Sequence, residues 1–236
     1  MSSVVILGSS SFLGRVLLNN INSNISFKAI VRKIPVDADK YNERVKWIKL
    51  DNINFSSLIN IFEKGDVVIN LTYIKNNNRN DNISLINHIV DASIYSKISR
   101  LIHCSTASVV GDNDTNNINE LTPCNPKTNY EKVKMEVEKI VLSSLTKGID
   151  IGILRPTAIV GYGSKNLNYL QHLQNLTHYQ ERLAKIHNFE IVPINKIKEK
   201  DLYLKCLSLQ IVNLHLLISL EKVLHTNYNI LVFYQH

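Results

Sequence analysis

Tyr130 and Lys134 stand four residues apart in Tyr130-Glu131-Lys132-Val133-Lys134. On a helix they share a face, one turn from each other. A phenol with an ordinary pKa of about 10 is a poor proton shuttle at neutral pH, and a neighbouring ammonium favours its phenolate. That combination suits a tyrosine general acid/base. The same spacing also arises on exposed helix faces as mere surface decoration. A second chemical segment is Gly8-Ser9-Ser10-Ser11-Phe12-Leu13-Gly14, directly after the apolar run Val4 to Leu7. A helix start offers unpaired N–H groups and a partial positive charge, and small residues let a backbone come close to a phosphate. A dinucleotide pyrophosphate needs that arrangement, with Gly8 for the tight turn and Gly14 for close packing of helix on strand. An ordinary strand–turn–helix junction rich in small residues would look similar.

Alternating strand and helix patterns must position these groups. Val4 to Leu7 reads as a strand covered on both faces, and Phe12 to Ile21 as a helix. Strands follow at Phe27 to Val31 and Val45 to Leu50, then a short helix around Leu58, Ile59, Ile61 and Phe62 that Gly65 stops. Val67 to Leu71 is another buried strand, and the asparagine-rich stretch Lys75 to Asn82 reads as a mobile loop at its end. Ile83 to Ile98 has helical spacing, and Leu101 to Cys104 returns to strand. Tyr130 to Leu145 is a longer helix with Val133, Val137, Ile140, Val141 and Leu145 on one stripe, Gly148 as its stop, and a sixth strand at Ile151 to Leu154. Such alternation predicts an α/β protein with a parallel sheet wound on both faces, binding ligands at the carboxyl ends of its strands. Beyond Gly163 the texture changes: Asn166 to Lys185 and Leu207 to Leu224 read as helices, Phe189 to Ile194 and Tyr228 to Phe233 as strands.

Four segments together resemble the extended short-chain dehydrogenase/reductase family, in its NAD-dependent epimerase/dehydratase branch of nucleotide-sugar enzymes. The turn from Gly8 to Gly14 is similar to that family's Gly-x-x-Gly-x-x-Gly, with Ser11 in place of the middle glycine, where its side chain is expected to crowd the pyrophosphate. Asn70-Leu71-Thr72 resembles the segment beside the cofactor, with Thr72 where alanine is usual. Leu101 to Gly111 resembles the strand that ends in hydroxyl residues before Val-Tyr-Gly, with Val110 where tyrosine is usual. Ile153-Leu154-Arg155-Pro156-Thr157, followed by Gly161-Tyr162-Gly163, resembles the segment lining the nicotinamide pocket.

The resemblance implies a Rossmann-like doubly wound parallel sheet over residues 1–163 and a shortened, divergent substrate-binding region over 164–236. It implies a cofactor site of Gly8, Ser10, Ser11, Phe12, Leu13, Gly14, Arg32, Asp51, Leu71, Lys134 and Pro156. Tyr130 becomes the general acid/base, Lys134 holds the nicotinamide ribose and depresses the tyrosine pKa, and Thr106, with Ser105 as alternate, hydrogen-bonds the reacting substrate oxygen. No carboxylate ends the second strand; Arg32 and Lys33 there favour a 2′-phosphate, hence NADP over NAD. Asp51 matches a residue that meets the adenine, and equally well an N-cap of the next helix. The expected substrate is a nucleotide-sugar or similar small molecule, and members of the branch are often dimers, so a homodimer is among the implied assemblies. Two alternatives stand: a catalytically inactive dinucleotide-binding protein, and an adaptor reusing the fold. The stretch Asp201 to His236 lacks charged helix faces and reads as a truncated or frame-shifted terminus, or as a divergent small lid.

Composition agrees with an ordinary globular protein: 236 residues, 44% hydrophobic and 20% charged, suffice for one sizeable core. The net charge of +7 is spread without aromatic interleaving, which argues against nucleic acid and suits an anionic nucleotide. The longest apolar stretch, Leu207 to Leu220, is broken by Gln210, Asn213 and His215, too polar and short for a membrane span. Cys104, Cys124 and Cys206 have no metal or CxxC spacing. Free thiols, no metal and a cytoplasmic location are therefore expected.

Overall fold

A computed structural model describes residues 3–20, 25–75, 78–111, 122–156, 159 and 230–232. Within them run strands β1 (Val4–Leu7), β2 (Phe27–Val31), β3 (Val45–Lys49), β4 (Val67–Asn70), β5 (Arg100–Cys104), β6 (Asp150–Arg155) and β7 (Ile230–Val232). Helices are α1 (Phe12–Asn19), α2 (Phe55–Ile59), α3 (Arg79–Ser96) and α4 (Asn129–Ser143). The strands form one sheet in the order β3-β2-β1-β4-β5-β6-β7, every pair parallel. The order in which successive strands join the sheet reverses between β1 and β4, the switch point at which sheets of this kind open a crevice for ligand. The central strands are apolar runs because helices cover both faces: all four residues of β1 are buried, as are the first four of β5. At the edge, β3 alternates toward solvent with Lys46 and Lys49 exposed.

The amino edge of the sheet is tied by Asp66, whose fully buried carboxylate accepts from Ser3 N and Oγ (both 2.9 Å), Lys28 Nζ (3.0 Å) and Glu63 N (3.0 Å). One side chain thus joins the starts of β1, β2 and β4. The carboxyl edge stays available for the loops that carry the expected site.

Helix starts correct several sequence expectations. The segment expected as a loop, Lys75 to Asn82, becomes helical from Arg79, because Asn78 caps α3 by accepting from the N–H groups of Asn80 and Asp81. Asn82 then closes the preceding loop by bonding Ile74 N and Ile74 O. Asp51 does not cap α2; Asn54 does, in a reciprocal box with Ser57. Leu145 leaves the buried stripe of α4, because the chain tightens into a 3-10 turn over Ser144–Lys147 before Gly148. At its start α4 carries a capping box between Thr128 and Glu131, a Thr-x-x-Glu pattern that places Tyr130 in the first turn.

By its internal contacts the chain divides into Met1–Pro156 with Thr226–Phe233, and Thr157–His225 with Tyr234–His236. The predicted elements at Asn166 to Lys185, Phe189 to Ile194 and Leu207 to Leu224, together with Gly161-Tyr162-Gly163 and Cys206, lie outside the described residues. The last predicted strand is present as β7, alongside β6. Cys104 and Cys124 are free thiols. Among the described residues no helix is long and apolar enough to cross a membrane.

Candidate active site

Gly8 follows β1 with φ +84°, a conformation that L side chains rarely adopt, and a Cβ there would sit 3.2 Å from the Leu71 carbonyl carbon. Gly14 lies on the buried face of α1, where a Cβ would come within 2.7 Å of Ser9 Cα and backbone oxygen. The helix therefore packs directly on the turn. Ser11 is the N-cap of α1, and its hydroxyl accepts from Gly14 N at 3.1 Å. The N–H groups of Phe12 and Leu13, at the first two helical positions, have no acceptor within the helix. Ser9 is buried with its hydroxyl on Ile6 O (2.7 Å), while Ser10 is exposed beside them.

Across the crevice, α4 places Tyr130 and Lys134 one turn apart. Thr106, the residue after Ser105 at the end of β5, lies near enough to the Tyr130 phenol to draw its pKa down. Thr106 also accepts from Ser108 N (3.3 Å), capping the 3-10 turn Ala107–Val110. Ser105 is buried, and its hydroxyl has no hydrogen-bond partner among the described residues. Of the two hydroxyl residues, Thr106 is the one whose presence acts on the phenol pKa. Lys134 is 5% exposed and donates to the Cys104 carbonyl at 3.4 Å.

A residue that the sequence reading passed over joins this group. The Tyr73 ring lies 5.3 Å from that of Tyr130 in a nearly perpendicular contact, and Lys134 Nζ sits 4.4 Å from the Tyr73 centroid. Nothing in the local pattern Asn70-Leu71-Thr72-Tyr73 distinguishes this tyrosine; only the adjacency of β4 and β5 brings it to α4. It changes the electrostatics. Burial pushes the Tyr130 phenol above its ordinary value, Thr106 opposes this, and Cys104 and Glu131 add to the rise. The expected depression by Lys134 is not seen: the net shift is upward, and burial is its first cause. Burial likewise pushes the Lys134 ammonium down.

The support behind these groups is buried and polar. Arg155, at the end of β6, grips both carboxylate oxygens of Glu138 on α4, at 3.1 Å from Nε and 2.6 Å from Nη2, with both side chains at most 4% exposed. The Pro156 carbonyl accepts from Ala107 N (2.9 Å), and the Leu154 carbonyl from Ser105 N (2.7 Å), so β6 holds the hydroxyl loop in place. Arg79 on α3 pairs with Glu136 on the outer side of α4.

His103 on β5 is fully buried; its Nδ1 lies 3.0 Å from the Asn70 amide, and its Nε2 has no partner among the described residues. It lines a hollow of about 10 Å³ with Asn70, Thr72, Tyr73 and Asn82, room for one water. Burial first, and the Lys134 charge second, push its pKa from 6.5 down to about 3. The unfolded chain thus takes up a proton below 6.5 that the folded protein refuses until about 3. Its contribution to stability is full above that upper value and falls by about 1.4 kcal/mol per pH unit on acidification through the window. Urea unfolding between about pH 7 and about pH 5 should lose roughly 2 kcal/mol from this residue, and His103→Gln should flatten that slope. An unchanged slope in the variant would show that His103 protonates freely in the folded state.

The remaining expected residues also end strands. Arg32 follows β2 and is exposed, as is Asp51 after β3, which pairs loosely with Lys49 at 3.5 Å. Leu71 donates its N–H to the Leu7 carbonyl beside Gly8. Every expected residue therefore borders the carboxyl edge of the sheet or lies on the helix facing it.

A glycine turn into a helix at the switch point of this strand order defines a dinucleotide-binding Rossmann domain. Residues 4–193 match the NAD dependent epimerase/dehydratase family, and the chain belongs to that family. The fold is similar to UDP-N-acetylglucosamine 4-epimerase from Bacillus cereus, with TM-score 0.62 and 24% identity over 74% of this chain and 65% of that one. It is also similar to UDP-glucuronic acid 4-epimerase from Bacillus cereus in complex with NAD, with TM-score 0.59 and 21% identity over 75% and 63% of the two chains. By sequence, the chain is 29% identical over 133 residues to a 3beta-hydroxysteroid-dehydrogenase/decarboxylase of Arabidopsis thaliana, covering 52% of this chain and 30% of that protein. The chain thus spans under a third of that relative and under two thirds of each epimerase chain.

Proposed function

We propose that this protein catalyses hydride exchange between a nicotinamide dinucleotide and a nucleotide-sugar, as an epimerase, dehydratase or reductase, with Tyr130 as its general acid/base. The observation that carries this reading is the placement of Tyr130 and Lys134 one turn apart on α4, with Lys134 buried against the Cys104 carbonyl at the end of β5, the strand that leads into Thr106. The protein's own groups fit the cofactor. Gly8 and Gly14 bring bare backbone to the crevice, and Phe12 and Leu13 direct unclaimed N–H groups from a helix start toward an anion. Lys134 has too few hydrogen-bond acceptors for a buried ammonium and suits ribose hydroxyls. When bound, the nicotinamide supplies the hydride acceptor or donor.

Tyr130 and Thr106 share one substrate oxygen in this reading. Thr106 orients it, and Tyr130 gives or takes its proton. With its pKa raised, Tyr130 carries its proton at neutral pH and is poised as the acid. Taking a proton from substrate first requires Tyr130 to lose its own, which its raised pKa delays to higher pH. Arg32 and Lys33, exposed after β2, offer charge to a 2′-phosphate and favour NADP(H), while the UDP-glucuronic acid 4-epimerase complex with NAD and the family description point to NAD(H). A second reading, dinucleotide binding without turnover, draws on the Tyr73 ring that covers the Lys134 ammonium.

Thermal unfolding with NADH, NADPH and a UDP-sugar tests both readings. A ligand at about a hundred times its Kd adds roughly 2.7 kcal/mol, which raises the midpoint of a chain this size by several degrees. The dinucleotide giving the larger shift identifies the cofactor, and turnover of a nucleotide-sugar separates the first reading from the second. A midpoint that ignores every dinucleotide would overturn both.

A further inference from the structure

Lys134 presents an unusual problem of charge. Its side chain is 5% exposed, and among the described residues its hydrogen-bond partner is the Cys104 carbonyl at 3.4 Å, a long contact. The nearest carboxylate on its own helix, Glu138, has both oxygens engaged by Arg155. A buried ammonium this poorly paired loses its proton readily. Cys104 and Glu138 oppose this electrostatically, and so does the Tyr73 ring face, 4.4 Å from Nζ, since the π-cloud attracts a cation most strongly where water is excluded.

Tyr73 is held in that place by its neighbours. Asn70 accepts from Thr72 N (3.0 Å) and from the Thr72 hydroxyl, and its amide nitrogen reaches His103 Nδ1 (3.0 Å). This turn delivers the ring against both Tyr130 and Lys134.

We propose that Tyr73 is a positioning residue of the Tyr130–Lys134 pair: its ring face keeps the Lys134 ammonium in place, and its perpendicular contact steadies the Tyr130 ring beside it. The charge effect stands on the geometry alone, while its consequence for proton transfer rests on the acid/base reading above. Few other groups compete for control of the charge. On β5, His103 is neutral down to about 3 and burial keeps Cys104 a thiol; on α4, Tyr130 is protonated and Glu138 is neutralised by Arg155 of β6.

The test is a titration of lysine ε-carbon resonances in the full chain, with Lys134→Met to assign the signal. Tyr73→Leu should lower the Lys134 midpoint by about half a unit to one and a half units. Tyr73→Phe, which keeps the ring face, should leave it within a few tenths. Pentafluorophenylalanine at position 73 keeps the shape but reverses the charge of the ring face, and should behave like the leucine variant even if that variant folds poorly. An unchanged midpoint with leucine or with the fluorinated ring, or a fall with phenylalanine, would overturn the proposal. None of these readings needs turnover. A shifted midpoint in a protein inactive toward every nucleotide-sugar would sink the acid/base reading and leave this one standing.

Discussion

Tyr130→Phe should lower turnover by roughly 10²–10⁴-fold, the range that a positioned general acid/base contributes, while the midpoint shift with dinucleotide survives. The substitution removes only the hydroxyl. Phenylalanine keeps the ring contact with Tyr73, and α4 keeps its Thr128–Glu131 cap, so the site should retain its shape. The raised phenol pKa sets the pH dependence. In the direction that needs a base, the rate should climb with pH as Tyr130 loses its proton; in the direction that needs an acid, it should hold across neutrality. Both dependences should vanish with the hydroxyl. Steady-state rates against pH in each direction check this, and undiminished turnover in the variant would remove Tyr130 from the chemistry.

Glu138→Ala should destabilise the protein by about 3–5 kcal/mol, because it removes the carboxylate that compensates the buried Arg155 guanidinium. Such a loss takes a large share of a typical stability of about 5–15 kcal/mol. In thermal unfolding it should appear as a fall of roughly 6–20 °C. The pair does not stabilise by attraction alone, since burying two charges costs nearly what their contact returns. Replacing both residues by methionine should therefore restore most of the loss. That contrast is the informative one. If the single variant cost under about 1 kcal/mol, the pair would have to be solvated, contrary to exposures of 4% and 0%. Recovery in the double variant would show that the bridge fixes where α4 sits on β6, rather than how stable the fold is.

Much of this was legible along the chain. The strands were readable because a strand covered on both faces must be apolar along its whole length, as Val4–Leu7 and Ile151–Leu154 are. Gly8 and Gly14 were readable because only glycine permits the positive φ of one and the 2.7 Å approach of the other. Tyr130 and Lys134 were readable as a pair because helical spacing is a local property. Asparagine misled it: a cluster that looked like loop contained Asn78, a good helix cap, and Asn82, which closes the preceding turn.

The residues that set the charge at the site were not readable in that way. Tyr73 covers Lys134 and Arg155 neutralises Glu138, both through contacts between separate elements of the fold. The rise in the Tyr130 pKa, opposite to the expectation from Lys134 alone, comes first from burial. Spacing determines which groups share a face. Desolvation and the choice of partner depend on what the assembled sheet and helices leave dry, and only the tertiary structure decides that.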